Sequence, residues 1–231
     1  MQDEYLSKLS GHVRDLVEEV EHRSGVPIVV TVRPDKRVSC QPHLSHGEIF
    51  TPAPEALADG SVVHEVLHLR RFLAEGVPLL VVRGDYEPWQ PGMEDSLTKQ
   101  DNAFEHLIVV PEELRRCPER RGYWEQMMLQ RWNEIRENEA DNREAAAALW
   151  AFALHVIPGS EAHVLAHEVL AQRGYRQLAE RFSAAVLPAL AQKEVAIRIW
   201  VDELGIDPNI VAFEYLNTHL GRREEVTLVN A

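Results

Sequence analysis

Two histidines four residues apart, with a glutamate directly after the first, are the residues of this chain best suited to chemistry. They form the H-E-x-x-H pattern His64-Glu65-Val66-Leu67-His68 within an apolar stretch. Residues four apart lie on one face of an α-helix, so both imidazoles can converge on a single Zn²⁺ ion. Glu65 can take a proton from a zinc-bound water and pass it to a leaving amine. The pattern predicts a zinc-dependent hydrolase, with a peptide bond as the favoured substrate.

The residues around this pattern favour metal binding over a surface role. From Val62 to Leu73 the sequence is apolar over most of a helix circumference, so this helix is expected at the centre of the fold. Ser61 is the predicted N-cap, and Gly76-Val77-Pro78 is the predicted end. Glu65 has no lysine or arginine three or four positions away that would pair with it on a surface. The alternative is a solvated polar stripe in which both histidines are ordinary helix residues.

A catalytic zinc site needs a third protein ligand, which leaves the fourth position for water. The best segment to supply it runs from Asp101 to Pro111, where Glu105 and His106 interrupt an otherwise apolar helix face. This helix is therefore the strongest candidate to supply the third ligand.

Three groups of residues resemble a known family. They are His64-Glu65-x-x-His68, Glu75-Gly76-Val77-Pro78 and Asn102-x-x-Glu105-His106-x-x-Val109-x-Pro111. The set resembles uncharacterised bacterial members of the zincin metallopeptidases, in the gluzincin arrangement of two histidines and a downstream glutamate, over roughly residues 48 to 125. The resemblance implies Zn²⁺ held by His64, His68 and Glu105, with Glu65 as the catalytic residue.

The resemblance also suggests roles for the neighbours of Glu105. Asp101 and Asn102 lie one helical turn earlier and could orient a ligand imidazole through its other ring nitrogen. His106 points about a quarter-turn away on a helix, and either stabilises an oxyanion or contacts the backbone.

The chain departs from the best-known gluzincins at Glu105, which is not in an N-E-x-x-x-D or E-x-x-A-D setting. A segment of the second kind lies further on, Glu137-Asn138-Glu139-Ala140-Asp141, and resembles the glutamate helix of integral-membrane prenyl-protein peptidases. Glu137 is therefore the reserve ligand. From the sequence, the third ligand is left open among Glu105, His106 and Glu137.

Two other histidine groups could bind metal. The segment from Cys40 to His46 contains a cysteine and two histidines, but Cys40-x-x-His43 has no matching second pair. His163 and His167 are also four residues apart, but they lack the glutamate placement of a zincin. We predict that His163 and His167 are ordinary helix residues.

Composition narrows the partners and the compartment. With 24 Lys and Arg against 37 Asp and Glu in 231 residues, the formal net charge is −13, which argues against nucleic acid or an anionic membrane as the main partner. The chain has only two cysteines, its first residues lack the pattern of a signal peptide, and its longest apolar run, 145–157, is too short for a bilayer. These features predict a cytoplasmic, thiol-reduced protein with no transmembrane segment.

The elements that must position these residues predict an α+β fold. An amphipathic helix is expected over residues 3–24, then strands at 26–32 and 48–51 before the metal helix. Residues 77–82 are either a strand or a helix start, and a helix over 94–110 is expected to stop before Pro111. From Gly122 onward the pattern is almost wholly helical, with a core stripe at Trp124, Met128, Trp132 and Ile135 and further helices over 145–157, 162–174, 176–187 and 192–205.

We therefore expect a small β-sheet with a zincin active-site helix, followed by a mostly helical C-terminal part. The division is residues 1–121 and 122–231, unless the chain is one domain. The predicted function is a cytoplasmic zinc metallopeptidase with a peptide or protein substrate, whose helical part covers the cleft and which a regulatory protein partner could open. The alternative is a non-catalytic helical interaction or adaptor protein on a zincin scaffold.

Overall fold

The computed structural model describes residues 1–87, 89–90, 92–138, 140 and 142–229, and it confirms an α+β fold with a mostly helical part. In chain order the helices are α1 (Asp3–Leu6), α2 (Gly11–Ser24), α3 (Asp59–Leu69), α4 (Met93–Arg116), α5 (Arg121–Glu137), α6 (Arg143–His155), α7 (Glu161–Arg173), α8 (Arg176–Val186) and α9 (Lys193–Leu204). The strands are β1 (Ile28–Val32), β2 (Ser39–Pro42), β3 (Gly47–Thr51), β4 (Leu79–Val82), β5 (Val211–Asn217) and β6 (Arg222–Thr227). Among the described residues, no helix combines the length and the apolar character needed to cross a membrane.

The first compact unit contains residues 1–79 and 213–226. Its sheet has the strand order β1–β3–β2, with β1 parallel and β2 antiparallel to β3. Helix α3 contacts both α2 and β2. Gly47 allows the start of β3 to approach α3, because a Cβ atom at this position would lie 2.8 Å from Leu69 Cδ1. The helix that carries the H-E-x-x-H pattern is therefore packed on more than one side within its own unit.

Two boundaries in this unit differ from the sequence prediction. The helix predicted over residues 3–24 is two helices, α1 and α2, because Ser10 has an extended backbone conformation. The N–H of Ser10 donates to Asp59 Oδ1 at 3.2 Å. Helix α3 has Ala58 at its N-cap rather than Ser61, which lies inside the helix. Asp59 in the first turn interacts favourably with the helix dipole, which explains the earlier start.

The second compact unit contains residues 80–212 together with the described part of 227–231. Its core is formed by helices, and several of its largest side chains are almost completely buried: Phe104, Trp132, Phe182 and Trp200. The predicted core stripe on α5 is confirmed, since all four of its members are buried: Trp124, Met128, Trp132 and Ile135.

The end of helix α4 is a third difference from the prediction, because the helix does not stop before Pro111 but continues to Arg116. A proline inside a helix removes one backbone hydrogen bond and costs about 3 kcal/mol. Val109 and Val110 before the proline and Glu113 after it are all buried. Packing on both sides of Pro111 therefore offsets its cost and keeps one helix.

The sequence prediction did not include β2, β5 or β6. Strand β6 escaped it because its residues are mostly charged and exposed. A second sheet has the order β4–β5–β6, so residues 77–82, which were ambiguous, contain a strand. The compact units change after residues 79, 212 and 226, whereas the division predicted from the sequence lies after residue 121.

Candidate metal centre

The two histidines of the H-E-x-x-H pattern are brought together inside the first unit. His64 is 8% exposed and His68 is 4% exposed, and their Nε2 atoms are 3.2 Å apart. The rings meet edge to face, with centroids 4.8 Å apart and an interplanar angle of 79°. Two nitrogens at this distance can share one hydrogen or bind one cation. In a tetrahedral zinc site the ligand nitrogens are about 3.3 Å apart, so the pair fits such an ion.

The sequence of α3 explains why these side chains are held in place. All residues from Val62 to Leu69 are buried, so the helix turns polar and apolar side chains alike toward the interior. Glu65, between the two histidines, is 9% exposed. A buried imidazole or carboxylate loses hydration, and this cost must be offset by specific partners. The burial of three ionisable groups on one helix is therefore typical of a functional site.

The helix changes character directly after His68. Residues Arg70–Ala74 form a π-helical segment, closed by a 3.0 Å hydrogen bond from the Glu75 N–H to the Arg70 carbonyl. Arg70 Nε also contacts Glu75 Oε1 at 2.9 Å, which reinforces this turn. The ring of Phe72 lies nearly parallel to that of His68, with centroids 6.4 Å apart. Such π-helical turns occur frequently at functional sites.

Glu65 has a neighbour in the first unit that the sequence did not reveal. Cys40 on β2 is partly exposed as a residue, but its thiol is buried. Burial raises the pKa of the Cys40 thiol well above its usual value, and the charge of Glu65 and a hydrogen bond with it raise the pKa further. The thiol is therefore neutral near pH 7, and its hydrogen can be donated to the carboxylate. A cysteine 25 residues away along the chain carried no signal of this contact.

In the second unit, α4 holds Asp101 and Glu105 in a buried cluster with one cation. Lys193 Nζ is 2.6 Å from Asp101 Oδ1 and 2.8 Å from Glu105 Oε1, and all three residues are buried. Burial raises the pKa of Asp101, and the charge of Glu105 adds to this effect, while Lys193 and the N–H of Leu80 act in the opposite direction. Glu105, the ligand implied by the resemblance, thus has an ionic partner within its own unit. Nothing in the sequence linked α4 to Lys193.

His106 is positioned differently from the adjacent Glu105. It is half-buried, and its ring contacts that of Trp124 edge to face, with centroids 5.1 Å apart. The indole N–H of Trp124 donates to Glu113 Oε2 at 3.0 Å, and Glu113 Oε1 accepts from Arg120 Nε at 2.7 Å. A chain of fixed side chains therefore restricts the orientation of the His106 ring.

The other candidates lie in distinct surroundings. Glu137 is exposed at the last residue of α5, and residues 139 and 141 of its segment lie outside the described residues. Asn102 is exposed on α4.

His163 and His167 lie on α7, where their rings stack with centroids 5.2 Å apart. The histidines of the hairpin turn, His43 and His46, form with Glu48 a group whose ligand atoms all lie within 4.8 Å of one another.

Comparison with known proteins does not extend this picture. No protein-family model matches the sequence, and no curated protein or solved structure is significantly similar to the chain. The zincin resemblance therefore rests on the motif residues.

Proposed function

We propose that this protein is a zinc-dependent hydrolase of peptide bonds, with His64 and His68 as zinc ligands and Glu65 as the general base. The observation that carries the proposal is the buried pair of Nε2 atoms 3.2 Å apart on one helix. The buried carboxylate of Glu65 adjoins this pair in sequence. The donor set suits zinc, which binds imidazole nitrogen readily. The peptide bond as substrate rests on the resemblance to zincin metallopeptidases.

We propose His106 as the third ligand, in place of the Glu105 that the resemblance implies. His106 follows Glu105 directly on α4, and its imidazole is a donor that zinc accepts. Its ring is oriented by Trp124, as expected of a ligand whose position is fixed by neighbours. Glu105 is 1% exposed and already contacts Lys193 Nζ. A carboxylate has further lone pairs, so Glu105 is the alternative that the experiment must test.

The zinc ion would supply Lewis acidity toward a substrate carbonyl and a water. Glu65 would accept the proton of the attacking water and then return it to the leaving amine. The Cys40 thiol forms a hydrogen bond with this carboxylate. Cys40 is thus proposed to orient Glu65.

Metal content is the first test. The untagged protein is depleted of metal, loaded with zinc and separated from free metal, and zinc is then measured by elemental analysis. His68→Gln is expected to bind one zinc fewer per chain than the wild type. His12→Gln is the matched control, since His12 is exposed on α2 in the same unit. Equal zinc in the wild type and in a folded His68→Gln protein would contradict the proposal.

Activity is the second test, and it separates catalysis from a structural metal. Zinc-loaded protein is incubated with a mixture of peptides, and the cleavage products are identified by mass spectrometry. Glu65→Gln is expected to reduce cleavage by about 10²- to 10⁴-fold while zinc content and circular dichroism stay unchanged. Glu18→Gln, an exposed carboxylate on α2, is the control. Zinc binding with no Glu65-dependent cleavage would instead favour the non-catalytic adaptor.

A further inference from the structure

A second group of metal-ligating side chains lies at the hairpin turn between β2 and β3. His43 Nε2 is 3.3 Å from Glu48 Oε2, and the rings of His43 and His46 stack with centroids 4.6 Å apart. One ligand atom from each of the three residues lies within 4.8 Å of the other two. The proposed hydrolase site uses none of them.

The turn is already arranged to hold these side chains. The N–H of His43 donates to the carbonyl of His46 at 2.9 Å, which closes the turn and brings the two imidazoles to the same end of the hairpin. Thr31 on β1 donates its hydroxyl hydrogen to Glu48 Oε1 at 2.6 Å. The other oxygen, Oε2, is the one that lies near His43. Ser45 Oγ lies 3.0 Å from His46 Nδ1, so a hydrogen bond can orient this ring as well.

Glu48 and His46 therefore each have a neighbour outside the group that orients them, as is usual in protein metal sites. An ion pair between His43 and Glu48 alone would account for two of the three residues, but not for the stacked His46 ring. A metal ion bound by all three side chains would account for the position of His46 as well.

We propose that His43, His46 and Glu48 form a second binding site for a divalent transition metal ion, of which zinc is the probe. Two imidazoles and one carboxylate are a donor set that zinc accepts, with water as the usual remaining ligand. All three ligands come from six consecutive residues. The site is therefore local, and its occupancy does not depend on His64 or His68.

The test is a zinc titration of metal-free, untagged full-length protein in competition with a chromophoric chelator. The wild type is expected to bind one more equivalent than His43→Gln or Glu48→Gln, or to bind that equivalent at least 10-fold more tightly. His22→Gln is the control, because it removes an exposed imidazole of the same unit. His68→Gln is expected to keep the hairpin equivalent, which separates this site from the one on α3. Equal stoichiometry and affinity in the wild type, His43→Gln and Glu48→Gln would overturn the proposal.

A measurement on the wild type alone covers the case in which a variant does not fold. Nuclear magnetic resonance follows the imidazole proton and nitrogen signals during the zinc titration, with His43 and His46 assigned. Both rings are expected to shift together and to saturate at a stoichiometric equivalent. Unchanged signals from these two rings, while zinc binds elsewhere or not at all, would mean that the turn holds only an ion pair, and would overturn the proposal.

Discussion

Two pairs of histidines in this chain have the same i, i+4 spacing on a helix, but different surroundings. His64 and His68 on α3 are buried, and their rings meet edge to face with Nε2 atoms 3.2 Å apart. On α7, His163 is half-buried and His167 is exposed, and their rings stack at an interplanar angle of 27°. The same spacing thus gives converging nitrogens in one helix and parallel rings in the other.

The difference follows from what packs around each pair. The residues of α3 on either side of its pair are buried, so the side chains have few conformations available. On α7, Nδ1 of His163 accepts a hydrogen bond from the Gly159 N–H at 2.9 Å, and both rings contact Trp150. The α7 histidines therefore contribute to local packing, and His163 also accepts a hydrogen bond at the start of the helix. Burial and converging nitrogens therefore distinguish the α3 pair from the α7 pair, although the two pairs have the same spacing.

The largest expected difference between the pairs is in zinc binding. His68→Gln is expected to lose one zinc equivalent, because one imidazole and one other ligand hold zinc poorly. His167→Gln, the substitution at the corresponding position of α7, is expected to leave the zinc content unchanged. Elemental analysis of both variants beside the wild type measures the effect. Zinc loss in His167→Gln but not in His68→Gln would mean that zinc binds to the α7 pair and not to the α3 pair.

The buried carboxylates on α4 extend the comparison with the α3 pair, because their cation is a side chain of the protein, Lys193. Lys193→Met would leave Asp101 and Glu105 buried without the cation that contacts both. Removing one partner of a buried ion pair typically costs about 3–5 kcal/mol. Urea unfolding should show a loss of this size. Lys99→Met, at an exposed position on α4, should change the free energy of unfolding by less than about 0.5 kcal/mol.

A smaller effect, on zinc affinity, tests whether His106 or Glu105 is the third ligand of the site on α3. His106→Gln is expected to weaken zinc binding by at least about 10- to 100-fold, the range found when even a supporting residue of a metal site is lost. Glu105→Gln should leave zinc affinity within a few-fold, because its carboxylate already contacts Lys193. Chelator competition on both variants measures this. The opposite ranking would restore Glu105 as the third ligand.

The sequence was informative where one helix contained the whole signal. The H-E-x-x-H residues, the apolar helix around them and the core stripe of α5 are all local patterns, and the structure has both helices. The strand β1 was recognisable from its β-branched residues. Local periodicity is therefore enough to find elements whose burial pattern is regular.

Contacts between distant residues were out of reach of the sequence. Cys40 beside Glu65 and Lys193 beside Asp101 join residues that are 25 and more positions apart. The C-terminal strand β6 is mostly charged, so its side chains resemble those of a solvated helix. Pro111 predicted a helix end that tertiary packing overrides. In each case the fold supplied a partner that the local sequence does not encode.

We expect the α7 pair to differ from the α3 pair by affecting how stability depends on pH, and not by binding metal. Burial lowers the pKa of His163, and His167 lowers it further. As the pH falls, the unfolded chain takes up this proton before the folded protein does, so the stability contributed by the neutral ring is present above pH 6.5 and is lost as the pH falls through the folded pKa. His163→Gln should therefore lose less stability than the wild type between pH 7 and pH 5.

Urea unfolding at several pH values in the presence of a chelator measures this effect without contribution from zinc. His22→Gln is the control, because its exposed ring lies on α2. If His163→Gln and the wild type lose stability in parallel, the α7 ring is not held neutral by its surroundings. The contrast between the pairs would then rest on ring geometry alone. A flatter profile for His163→Gln alone would show that the α7 ring of His163 is held neutral by its surroundings and makes stability depend on pH.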